Sequence, residues 1–102
     1  MADNTVIEVG SSELQRMFNE GKYWERAKAG EFKVVKLQDD HPAFKRRNIP
    51  RCTRSQLIGY FDDSNNRIAL LHQYRLPSGE LGASGKPDPK LLLVDGIIYS
   101  AR

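Results

Sequence analysis

The sequence predicts a small α+β domain, with one N-terminal helix, continuous or broken, packed on a mainly antiparallel sheet of four or five strands. Three observations predict it. Apolar residues at helical spacing, Leu14, Met17, Phe18 and Trp24, occupy the first third of the chain, with Gly21 in the same stripe. Two alternating runs, 55–61 and 67–75, flank Asp62-Asp63-Ser64-Asn65-Asn66, whose residues tolerate turns, and so predict an antiparallel hairpin. A length of 102 residues suits one two-layer core, so residues 1–102 are read as a single domain, too small for separate cofactor and substrate domains.

Taken in order, Thr5-Val6-Ile7-Glu8-Val9 is β-branched and predicts a short strand ended by Gly10. Ser12 and Gln15 have the spacing of a capping box, which predicts a helix over 13–28 that kinks or breaks at Asn19-Glu20-Gly21 and stops at Gly30. Its stripe of Leu14, Met17, Phe18 and Trp24 is expected to pack on the sheet, because the amphipathic helices of small domains must bury such a face. Residues 31–37 read as a strand with Phe32 and Val34 on one side. The following stretch, 38–53, has no sustained period and contains Pro42 and Pro50; irregular segments of that length are uncommon in compact domains unless they serve a function or are disordered.

On the second hairpin strand Ile68, Leu70, His72 and Tyr74 share one face, and Arg67, Ala69, Leu71, Gln73 and Arg75 the other. Residues 89–95 admit two readings. One is a tight hairpin across Asp95-Gly96. The other, slightly favoured, is a short helix with Asp88 as its N-cap, Pro89 in the first turn and Gly96 as its stop, followed by a strand at 97–100.

Between these elements, Pro77-Ser78-Gly79, Gly82, Gly85, Pro87 and Pro89 punctuate a segment whose backbone is fixed by residue type. Glycine admits positive φ, proline holds φ near −65°, and the residue before proline is driven extended. With its flanks the stretch has the form H-x-Y-x-x-P-x-G-x-x-G-x-S-G-x-P-D-P-K, followed by an aliphatic run, Asp-Gly and Tyr. In this it resembles small uncharacterised bacterial proteins with the same C-terminal pattern. The resemblance covers residues 72 to about 99 and implies no activity.

The net charge of +3 is unevenly placed. Residues 1–40 carry six Lys/Arg against eight Asp/Glu and residues 62–102 carry five of each, whereas residues 41–61 carry five Lys/Arg and no acid. That block, Lys45, Arg46, Arg47, Arg51 and Arg54, is the stretch that suggests a polyanionic partner, with Phe44, Tyr60, Phe61 and Tyr74 as candidate base-stacking groups. A solvated basic loop is the competing reading.

Other chemistries find less support. The glycine run lacks the glycine and hydroxyl residue of a Walker loop, since Glu80 and Pro87 occupy those positions, and Ser84 lacks the flanking pattern of a nucleophile elbow. His41 and His72 form no paired metal motif, and Asp39-Asp40-His41 reads as a solvated loop, so neither a metal nor a cofactor is expected. His72 on an apolar face is more often packed and hydrogen-bonded than catalytic, although it is the best acid–base candidate of the chain. The single cysteine, Cys52, the absence of a long apolar run, and an acid at position 3 lead to the expectation of a cytoplasmic chain with no membrane partner.

The leading expectation is therefore a non-enzymatic binding module that recognises a macromolecule, nucleic acid or another protein, through the basic loop 41–54 and the shaped segment 76–90. A metal-independent ribonuclease using His72, Tyr74, Arg75 and Lys90 is the alternative. A protein or small-ligand binder that buries an aromatic patch, including a homodimer, is the third.

Overall fold

A computed structural model describes residues 5–40, 53–82 and 85–102. Six strands form one mixed sheet in the order β1-β6-β5-β4-β3-β2: β1 (Thr5–Val9), β2 (Lys33–Asp40), β3 (Arg54–Phe61), β4 (Arg67–Arg75), β5 (Asp88–Val94) and β6 (Ile97–Ala101). Only the β1–β6 pair is parallel; the rest of the ladder is antiparallel. Helices α1 (Ser11–Glu20) and α2 (Tyr23–Lys28) follow β1 and lie on one face of the sheet. None of the helices among the described residues is long and apolar enough to cross a membrane.

The predicted helix does break. Gly21 and Lys22 donate their N–H groups to Met17 and Asn19 carbonyls at 3.0 and 3.1 Å, and Lys22 turns left-handed at φ 55° before α2 begins. Its start differs from the capping-box expectation. Gly10 is the N-cap, its carbonyl taking the Leu14 N–H at 3.0 Å, with no side-chain cap, and the Gln15 amide donates forward to Asn19 instead. With the first turn begun two residues earlier, Ser12 already lies inside the helix, where its hydroxyl no longer faces the free N–H groups.

The sheet has six strands rather than four or five because residues 88–94 form β5, not the helix favoured from the Asp-Pro-Lys-Leu signal. Asp88 is accordingly no N-cap; it pairs with His72 across the ladder and its carboxylate meets Lys90 at 2.8 Å. Position explains why the helical signal lost. β5 lies between β4 and β6 and pairs with both, so its backbone groups are taken up along both edges, with Leu92 buried on the helix-covered face and Leu91 and Leu93 half-buried on the other. Pro89 is tolerated there because a register shift between Leu70 and Leu71 falls opposite it. Asp95 and Gly96 then adopt φ 50° and 79°, the two left-handed residues of a tight hairpin turn into β6.

The core is the contact between α1 and the helix-covered face: Leu14, Phe18, Ile58, Tyr60, Ala69, Leu71 and Leu92 are buried, each stabilising the fold by roughly 1.5–3 kcal/mol if the side chain is large. Of the two β4 stripes, Ala69 and Leu71 are thus the core stripe. Ile68, Leu70, His72 and Tyr74 lie on the opposite face, half-buried. A column of stacked rings, Phe18–Tyr23, Tyr23–Phe32 and Phe32–Tyr60 at 6.0, 6.2 and 5.8 Å, carries the core through α2 to β3. The Arg26 guanidinium covers Phe32 at 4.7 Å. This column fixes where α2 stands over the sheet.

The hairpin assignment makes a direct prediction. Since Gly96 holds φ 79°, a conformation that an L side chain reaches only at a cost of about 1–2 kcal/mol, Gly96→Ala is expected to destabilise the domain by about 1 kcal/mol in chemical denaturation, whereas Asp95→Asn is expected to be near-silent.

Candidate functional site

Both core strands change character at the same end of the sheet. On β3 the helix-side face runs Tyr60, Ile58, Gln56, Arg54, and on β4, paired to it, Ala69, Leu71, Gln73, Arg75. Where the apolar residues stop, the helical cover stops. The space beyond is an open cleft of about 780 Å³, walled by Trp24, Ala27 and Lys28 of α2, floored by β2, β3 and β4, and closed on the far side by Gly79, Leu81 and Pro87.

That far wall is the shaped segment. The chain doubles back on the end of β4: Gly82 N–H donates to the Tyr74 carbonyl at 2.7 Å, Leu81 bridges Arg75, and a small turn forms through Gly79 N–H to Leu76 O and Leu76 N–H to Glu80 O, both 2.8 Å. Two of its three spaced glycines, Gly79 and Gly85, sit at φ 91° and 80°, as a fixed ledge requires. Pro87 is buried against the cleft. The ring of Trp24 has Lys28 Nζ at 3.7 Å and Lys86 Nζ at 5.6 Å, so α2 and the ledge meet through cation–π contacts to one indole.

Four cationic residues, Lys28, Lys36, Arg54 and Arg75, and one acid, Asp39, line the cleft. Asp39 is held by Arg54, whose guanidinium donates to both its carboxylate and its backbone carbonyl, and by Lys36 at 3.0 Å. These partners, Arg54 first, lower the carboxyl from its ordinary 3.8 to about 2. Thus Asp39, once read with Asp40 and His41 as a solvated loop, is a strand residue that anchors a cleft arginine. The Gln56 side chain, nearly fully buried, accepts from Gln73 Nε2 at 2.8 Å and from Arg75 Nε at 3.5 Å, while Arg75 also donates to the Gly79 carbonyl at 3.2 Å. The floor is therefore a connected polar network.

Of the residues singled out from sequence, Arg54 and Arg75 enter the cleft. Lys45, Arg46, Arg47 and Arg51, with Phe44 and His41, lie outside the described residues. Among the described residues on either side of 41–52, Asp39 of β2 and Arg54 of β3 line the cleft. Tyr60 is buried in the ring column, and burial pushes its hydroxyl up to about 12; it offers no exposed face for stacking. The ribonuclease candidates do not share one cleft. His72 and Tyr74 touch edge to face at 4.8 Å on the face away from the helices, with His72 Nε2 hydrogen-bonded to Ser55 Oγ at 2.7 Å. Arg75 points into the cleft, and Lys90 is paired with Asp88.

Trp24, Lys28, Lys36, Gln56 and Gln73 were missed as site residues. Trp24 lay in the helical stripe and read as core; the glutamines were legible only as a polar step in an otherwise apolar face. No family model matches this chain, and no curated protein and no solved structure is significantly similar to it.

The Asp39 anchor predicts acid behaviour. Because its folded value is depressed, the stabilisation is complete above 3.8 and is lost as pH falls towards about 2. Wild-type protein should lose stability more steeply across that window than Asp39→Asn, as followed by denaturant midpoints at each pH.

Proposed function

We propose that this chain is a non-enzymatic binding module that takes single-stranded nucleic acid in the cleft between α2, the sheet and the wall of Gly79, Leu81 and Pro87. The observation that carries the reading is the lining: four cations against one acid beside the chain's one tryptophan. A groove with excess positive charge concentrates polyanions, and the Trp24 ring at its wall offers a surface for a base once Lys28 or Lys86 turns from the ring to a phosphate, the combination used for unpaired strands. Duplex would fit poorly, as the cleft is walled on two sides. The basic residues Lys45, Arg46, Arg47 and Arg51 add to the same charge in sequence, between the cleft residues Asp39 and Arg54. Binding is favoured over RNA cleavage because the acid–base candidate His72 and the cleft arginine Arg75 occupy opposite faces of β4.

Trp24 is its own reporter. Titration with a single-stranded oligonucleotide at low salt should change Trp24 fluorescence, with affinity falling as salt rises. Replacing Arg54 and Arg75 together by Gln should lower the slope of log affinity against log salt by about 1.4, the amount for two phosphate contacts on a single strand. A titration without signal change or salt dependence at low ionic strength contradicts the reading.

A further inference from the structure

The hydrogen bonds on the cleft floor run in one direction only. Arg75 Nε is a donor and nothing else, and it approaches Gln56 Oε1, so that oxygen is the acceptor side of the Gln56 amide. The Gln56 amide nitrogen correspondingly serves the Asp39 carboxylate, which can only accept. Gln73 must then approach Gln56 Oε1 with its nitrogen, as it does at 2.8 Å. An amide is ordinarily free to flip; this one is locked from behind. Gln73 is left with one N–H and its carbonyl oxygen, and that oxygen takes no hydrogen bond among the described residues while the side chain lines the cleft. Among four cationic neighbours, Gln73 Oε1 is an unusual group: a neutral acceptor in a cleft lined mainly by donors. A plain phosphate chain, which offers only acceptors, has no use for it.

We infer that Gln73 is the base-reading residue of the cleft, its locked donor and acceptor engaging the edge of an unpaired nucleobase that presents N–H beside a ring nitrogen or carbonyl, while the arginines and lysines hold the phosphates. This rests on the nucleic-acid reading above and adds the ligand class: base-bearing strands are preferred over equally charged strands without bases. A bidentate amide–base contact discriminates by about 1–3 kcal/mol, equivalent to about 5- to 150-fold in affinity. Gln56 is a positioning residue, since it reaches the ligand only through Gln73.

The test compares three probes by Trp24 fluorescence at one salt concentration: a single-stranded oligonucleotide, an abasic phosphodiester strand of the same length, and inorganic polyphosphate. Wild-type protein is expected to bind the base-bearing strand at least about fivefold more tightly than the abasic one. Gln73→Met, which keeps the length of the side chain without its polar atoms, should reduce that preference by about fivefold or more, the remainder being base stacking on Trp24, and leave polyphosphate binding unchanged. Equal affinity of wild-type protein for base-bearing and abasic strands overturns the inference while the polyanion cleft stands. So does a preference that is undiminished in Gln73→Met. Absence of binding to all three probes removes the underlying reading and the inference with it. Should Gln73→Met fail to fold, Gln73→Leu, which also removes both polar atoms, takes its place in the same comparison.

Discussion

The structure depends on a mismatch of size between its two layers. Six strands spaced about 4.8 Å apart make a sheet some 24 Å across, whereas helices of ten and six residues are about 15 and 9 Å long. Such a helical layer covers part of one face. Leu14 and Phe18 seal the part over β4, β5 and β6, the ring column Phe18–Tyr23–Phe32–Tyr60 draws α2 out as far as β3, and there the cover ends. The uncovered remainder of the same face is mostly polar, with Val34 of β2 left half exposed, and it is there that Gln56, Gln73, Arg54 and Arg75 stand.

Burial and chemistry are therefore coupled along single strands. On β3 and β4 the side chains that point towards the helices are apolar for as long as a helix lies above them and polar from the next position of the same parity onward. Exposed arginines at a sheet end are ordinary; arginines locked by Asp39, Gln56 and Gly79 into a walled space are not, because fixing them costs side-chain entropy of roughly 1.5–2 kcal/mol each in the absence of a return. The ledge contributes the remaining wall. Its left-handed Gly79 and Gly85 turn the chain back over the end of β4, and Lys86 closes on Trp24 from that side.

The α+β class, the helix break at Gly21, strand β1, the β3–β4 hairpin and the rigid turn at Gly79 were legible in the sequence, since each follows from local periodicity or from what glycine permits. Residues 88–94 were misread because Asp-Pro-Lys-Leu carries a strong local helix-start signal, and the need for a strand paired on both edges, with β4 and β6, is a property of the assembled sheet. The cleft was half legible. Arg54 and Arg75 stood out by charge, but Gln56 and Gln73 acquire meaning only from cross-strand register, which places them side by side. His72 attracted attention for its chemistry, and lies on the other face of the sheet.

That one face of this sheet binds and the other only packs is the central claim, and it is tested most directly by mapping a single-stranded oligonucleotide onto the protein by amide and side-chain NMR shifts. The account predicts that the largest changes fall on the Trp24 indole N–H, the Gln56 and Gln73 side-chain amides and the Arg54 and Arg75 Nε–H groups, with Ser55, His72 and Tyr74 little affected. Changes centred on Ser55, His72 and Tyr74, with the Trp24 and Gln73 resonances unmoved, would contradict it.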